Sequence, residues 1–181
     1  ALRNAQQAIA DGAPLSEHLI RTAHQQLLYF GRGARKRPGS YKVEQNYIGD
    51  DRRGKIYYVP IAPEQLGPAM AELVRYINES AMRPLIRTAI AHVEFEALHP
   101  FEDGNGRIGR AIAEKALAQT TGYPGLASLS YPIEQNKNEY YRQLEKAQRA
   151  NEITDWITYF VNTIVEGLKF AQKTVDFTLL K

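Results

Sequence analysis

A chain of 181 residues, 44% hydrophobic and 24% charged, is long enough to bury one core of its own and has the composition of a single soluble domain. Its formal charge of +3 is small and dispersed, which argues against nucleic acid as the partner, and no apolar run is long enough to cross a bilayer. With no cysteine, disulfides, Cys-based zinc sites and a thiol nucleophile are excluded.

In chain order, Ala1–Ala10 reads as a helix stopped by Asp11-Gly12. Because the chain opens at Ala1 rather than Met, residues 1–14 read as part of a longer N-terminal region. No signal peptide is visible, so the expected location is the cytoplasm, or the interior of another cell if the protein is delivered there. Leu15–Phe30 has helical spacing at Leu15, Leu19, Ile20, Ala23, Leu27 and Leu28, with Ser16 as the start signal. Gly31–Ser40 is a basic loop. Tyr47-Ile48 and Ile56–Val59 are β-prone runs around Gly49–Gly54, an exposed hairpin that must lean on the helices. Pro63–Glu79 is helical, with Pro63 in an allowed first-turn position. Pro84–Leu98 is more apolar and reads as the central helix, ended by His99-Pro100. Arg107–Thr121, Asn138–Ala150 and Thr154 to about Leu179 complete the helices, the last capped by Thr154 or Asp155. The expected fold is all-α, a single bundle over residues 1–181 with one β-hairpin.

The chemistry concentrates in His99-Pro100-Phe101-Glu102-Asp103-Gly104-Asn105-Gly106-Arg107-Ile108-Gly109-Arg110. A Gly-rich turn feeding a helix start is an anion site, because unpaired N–H groups and the helix dipole face the ligand. Asp103 could hold a divalent cation against phosphate oxygens. Arg107 and Arg110 lie on one helix face and can grip phosphate in bidentate fashion. Positive charge at a helix start opposes the dipole unless an anion compensates it. His99 is the natural general base. A calcium loop is the rival reading, with Asp103, Asn105 and Glu114 at ligand spacing. It fails because Arg107 would take a ligand position and Ile108 would replace the required glycine. A purely structural corner explains the glycines but not His99, Asp103, Arg107 and Arg110 together. Of the other histidines, His92 reads as packing or surface, and His18 and His24 as exposed helix positions.

The stretch His99–Arg110 resembles the signature of Fic-domain proteins at every defining position. The resemblance extends to the Pro38-Gly39 turn, the Tyr47–Val59 hairpin, the helix entering His99 and the Asn138–Tyr141 helix. It implies a Fic-type helical bundle with a hairpin flap, and AMP transfer from ATP to a Tyr, Thr or Ser hydroxyl of a target protein, with release of pyrophosphate. His99 would be the base, and Asp103 would hold Mg²⁺. The amides of Gly104, Asn105 and Gly106 would cradle the phosphates, with Asn105 offering side-chain donors as well. Arg107 would bind the β-phosphate and Arg110 the γ-phosphate, while Phe101 anchors the loop. Tyr141, Leu144 and Gln148 share a helix face that would border the adenine, with core packing as the rival for the first two. Tyr47, Ile48 and Gly49 would register a target segment by main-chain pairing. The resemblance also admits a homodimer.

Gly106 separates this chain from the Doc-type phosphorylating relatives, which lack that second glycine. The motif leaves the donor open, since some relatives transfer UMP or phosphocholine. De-AMPylation and a catalytically silent nucleotide-binding module are the alternatives, the latter opposed by His99. Asn162–Glu166-Gly167 comes nearest to the family's inhibitory Ser/Thr-x-x-x-Glu-Gly/Asn pattern but has Asn in place of Ser or Thr, and ordinary packing is the expectation there.

Overall fold

The structure is a computed structural model that describes residues 14–29, 33–50, 54–121 and 128–179; the helix expected over Ala1–Ala10 lies outside them. The elements are α1 (Glu17–Tyr29), β1 (Ile48–Asp50), β2 (Lys55–Tyr58), α2 (Pro63–Glu79), α3 (Pro84–Leu98), α4 (Asn105–Thr121), α5 (Ser130–Gln135), α6 (Lys137–Gln148) and α7 (Thr154–Leu179). The all-α expectation with one hairpin holds. α5 is not signalled in the sequence, because it is too short for a period to show and contains Pro132. It forms because Leu129, Pro132 and Ile133 are buried together.

Local signals set most boundaries. Ser16 Oγ accepts the Leu19 amide at 3.1 Å and caps α1, satisfying one of the amides a helix start leaves open. Pro84 occupies the first turn of α3, where its missing N–H costs nothing. The cap of α7 differs from expectation. The Glu152 carboxylate accepts the Thr154 amide at 2.8 Å, and Asp155 instead pairs with Lys146.

Two cores flank a central pair of helices. α3 sends Ala91, Phe95 and Leu98 into a core shared with α1, α2 and Phe101. It sends Ala89 and Val93 into a second core with α5, α6 and α7. α4 divides likewise, with Ile108, Ile112 and Ala116 on one side and Ala113 and Leu117 on the other. A helix buried on two sides must be apolar nearly all round, which is why α3 lacks a strong polar face. Its C-terminus and the N-terminus of α4 are therefore held at one fixed junction.

The hairpin pairs antiparallel, Ile48 opposite Tyr58, Gly49 opposite Ile56 and Asp50 opposite Lys55, with an irregularity between Ile48 and Gly49. A Cβ at Gly49 would overlap the Lys55 carbonyl, so this crossing requires glycine. A two-stranded ribbon is marginal alone. Here Arg149, just past α6, donates through its guanidinium to the Tyr57 carbonyl. Among the described residues no helix is long and apolar enough to cross a membrane.

Candidate active site

The junction between α3 and α4 carries the motif. α3 ends where Pro100 bars a further turn, and His99 takes the left-handed conformation (φ 44°, ψ 59°), its amide donating to Phe95 O at 3.1 Å. Glycine is the usual residue there; a histidine carries a cost on the order of 1 kcal/mol or more. Phe101 is fully buried and anchors the loop. Its ring stacks on His24 at 3.7 Å and 11° and packs against Tyr41 and Phe95.

The Asn105 side chain is turned inward, which corrects the expectation that it offers donors to phosphate. Its Oδ1 accepts the Phe101 amide at 2.9 Å, and its Nδ2 donates to the Phe101 carbonyl at 2.7 Å. Gly104 is left-handed (φ 86°), and its carbonyl accepts the amides of Arg107 and Ile108 at 3.1 and 3.0 Å. α4 thus begins at Asn105, two residues before the expected Arg107, because the inward Asn105 and the Gly104 turn nucleate it together. Gly106 lies in the first helical turn rather than in the loop. The amides of Asn105 and Gly106 have no carbonyl four residues ahead within the helix and point out of its N-terminus.

Charge collects around this turn. Asp103 Oδ1 accepts the Gly104 amide at 2.7 Å and sits 3.6 Å from an Arg107 nitrogen. Arg110 donates through Nε to Ser130 Oγ at 3.2 Å and folds back over Gly106. Burial pulls the His99 imidazole down to about 4, and the Lys42 ammonium adds to this. The ring is therefore neutral near pH 7 and able to accept a proton. Its Nδ1 is buried with no hydrogen-bond partner, and the Glu96 backbone opposes the downward shift. Beneath Arg110 lie two carboxyls. Glu96 is pushed up to about 7 by burial, with Arg110 opposing the shift, and Glu114 is raised for the same reason.

The expectation of an exposed position does not hold for His24. It is fully buried: α1 carries it on the same stripe as Ile20 and Leu28, and that i±4 spacing was the available signal. Its Nδ1 accepts the Gly39 amide and its Nε2 donates to the Asp103 carbonyl, both at 2.9 Å. The ring thereby ties α1, the Gly39 turn and the loop before α4 together. His92 is also buried, between the Gly109 carbonyl and the Tyr140 hydroxyl at 3.1 and 2.9 Å, in line with the packing alternative.

The sequence profile of the Fic/DOC family matches residues 14–117 of this chain. This chain belongs to the Fic/DOC family. A protein adenylyltransferase Fic of Drosophila yakuba is 32% identical over 140 residues, covering 72% of this chain and 25% of the relative. A Fic family protein from Desulfovibrio desulfuricans G20 superposes with a TM-score of 0.81 at 24% identity, covering 95% of this chain and 51% of that one. IbpAFic2, solved covalently tethered to Cdc42, superposes at 0.63 and 24% identity over 91% of this chain and 53% of that one. The chain thus spans about a quarter of the length of the Drosophila relative.

The remaining expected Fic positions have differing environments. Leu144 is buried in the second core, whereas Tyr141 on the same helix is 55% exposed and Gln148 half-buried. Of the three, Leu144 packs in the core, Tyr141 is open to solvent and Gln148 lies between. Tyr47 is exposed, Ile48 half-buried and Gly49 exposed, at the start of the flap. Glu166 is exposed, and a Cβ at Gly167 would stand 3.0 Å from the Ser128 carbonyl. Close packing accounts for that glycine without an inhibitory role.

Proposed function

We propose that this Fic domain transfers AMP from ATP to a hydroxyl of a target protein. The observation that carries the reading is a neutral, desolvated imidazole at His99, set directly before a helix N-terminus flanked by Arg107 and Arg110. The amides of Asn105 and Gly106, with the dipole of α4, face the space where phosphate would sit. Arg107 and Arg110 would balance the charge of the β- and γ-phosphates.

Among the described residues no cluster of His, Asp or Glu could hold a metal alone. A single carboxylate at the phosphate loop suits Mg²⁺, which takes one or two protein ligands and completes its shell with phosphate and water. Asp103 would hold it; when bound, the ion would neutralise phosphate charge.

In the transfer, His99 Nε2 takes the proton of a target Tyr, Thr or Ser hydroxyl. The hydroxyl oxygen bonds to the α-phosphorus. The bond from the α-phosphorus to the oxygen bridging the β-phosphate breaks, and pyrophosphate leaves. The chain's part is positioning and charge stabilisation, which suits a substrate that carries its own leaving group. The exposed hairpin, with main-chain groups at Tyr47–Gly49, offers an edge for an extended target segment.

The test compares α-labelled with γ-labelled ATP in a cell lysate supplemented with Mg²⁺ and this chain. Label should pass to protein from the α position only. His99→Ala should retain ATP binding and lose about two orders of magnitude in transfer, the usual contribution of a general base. Transfer of γ-label, or equal labelling by His99→Ala, would overturn the reading.

A further inference from the structure

Four consecutive carbonyls of the base-bearing turn accept hydrogen bonds from one short segment that precedes the hairpin. Lys42 Nζ donates to the Leu98 carbonyl at 3.2 Å. Asn46 Nδ2 donates to the His99 carbonyl at 3.0 Å and to the Phe101 carbonyl at 3.2 Å. The Lys42 amide donates to the Pro100 carbonyl at 2.8 Å. Lys42 and Asn46 are also joined, Nζ to Oδ1 at 2.8 Å. Lys42 is 3% exposed, and burial pulls its amine down to about 8, still protonated near neutrality. A buried ammonium is costly unless its donors are used. Here they serve the end of α3.

The turn these bonds hold is the strained one. His99 is one of two non-glycine residues with positive φ among those described, and a left-handed β-carbon is retained only where surrounding contacts over-determine it. The direction of the His99 side chain follows from that backbone. A release of the turn would swing the imidazole away from the phosphate loop, whereas Asn105 would still hold Phe101 through its amide and carbonyl.

We propose that Lys42 and Asn46 are positioning residues for the base, a carbonyl clamp that holds His99 in its left-handed conformation. The proposal rests on the reading of His99 as the base. Asn46 also lies two residues before β1, so a target segment pairing with the hairpin would bear on the side chain that sets the base.

The test uses the whole chain with three substitutions. Asn46→Asp keeps an acceptor for Lys42 but removes both donors to the His99 and Phe101 carbonyls. Lys42→Met removes the ammonium, and Lys42→Arg restores donors. With α-labelled ATP, Asn46→Asp and Lys42→Met should lower kcat roughly 100-fold, the loss that accompanies a shift of about 1 Å at a reacting group. ATP affinity by calorimetry should stay at the parent's value, and Lys42→Arg should recover most of the rate. A crystal structure of Asn46→Asp should show His99 displaced from the left-handed region. If kcat falls only in step with ATP affinity or with the folded fraction, the clamp is structural and the proposal fails. An unmoved His99 in the variant's crystal structure overturns it whatever the activity. Should the parent chain transfer no label, the functional reading falls, and the crystallographic comparison alone decides the clamp. Should Lys42→Met fail to fold, Asn46→Asp decides it.

Discussion

Replacing Gly109 with alanine should destabilise this protein, although alanine is the better helix former. A Cβ at Gly109 would stand 2.6 Å from Glu96 Oε1, 3.1 Å from the Phe95 ring and 3.3 Å from the His92 ring. All three neighbours are buried on α3, with 5%, 0% and 0% exposure, so none can swing into solvent. Overpacking of this kind costs about 1–3 kcal/mol, against about 1 kcal/mol gained from helix propensity. The net loss should be up to about 2 kcal/mol, a fall in Tm of up to roughly 8 °C for a domain of this size. Gly67 is the control: it is helical and exposed, and apart from its own helix and chain neighbours, Pro68 among them, nothing lies within 4 Å of its Cβ position. Gly67→Ala should therefore escape the overpacking cost, its gain in helix propensity opposed only by the Pro68 ring that follows it. Urea unfolding of both variants gives the comparison. A double-mutant cycle with Glu96→Ala sharpens it, since removing the carboxyl should relieve the clash and yield a coupling of about 1 kcal/mol or more. A Gly109→Ala variant as stable as Gly67→Ala, or strict additivity with Glu96→Ala, would refute the packing of α3 on α4 described here.

Arg110→Ala should weaken ATP more than ADP in calorimetry, because only ATP has a γ-phosphate; equal losses would remove Arg110 from that role. Stability should depend on pH in two opposed ways. His92 and His99 are lowered to about 4 by burial, so their contribution is full above the unfolded value of about 6.5 and is lost as pH falls toward 4. Glu96 is raised to about 7, so its contribution is full below the unfolded carboxyl range and is lost as pH rises through 7. Glu96→Gln should therefore make stability climb more steeply between pH 4.5 and 7, the window about which these values turn; a Tm profile parallel to the parent's would contradict the burial of that carboxyl. Ile48→Pro should reduce target labelling while ATP affinity holds, since proline removes a main-chain donor from β1. Loss of ATP binding in that variant would assign the hairpin to the nucleotide or the fold. Glu166→Gly should leave the transfer of α-label unchanged, and a sharp rise would make the last helix inhibitory.

The chemistry of the site was legible in the chain because it is local. His99, Asp103, Gly104, Arg107 and Arg110 fall within twelve positions, and the order of an imidazole, a carboxylate, a turn and a helix start survives any packing around it. The long helices were equally legible, since a periodic apolar face reports burial without naming the neighbour. Tertiary structure decided what supports that site. His24 reaches Asp103 across 79 positions and Lys42 reaches Leu98 across 56, and no sequence period links residues so far apart. Packing also turned Asn105 inward onto Phe101, gave Leu144 to the core while leaving Tyr141 exposed, and pressed Glu96 against the bare backbone of Gly109. Residue type and spacing limit what each side chain can do; which backbone it meets depends on how α3 and α4 are clasped between the two cores.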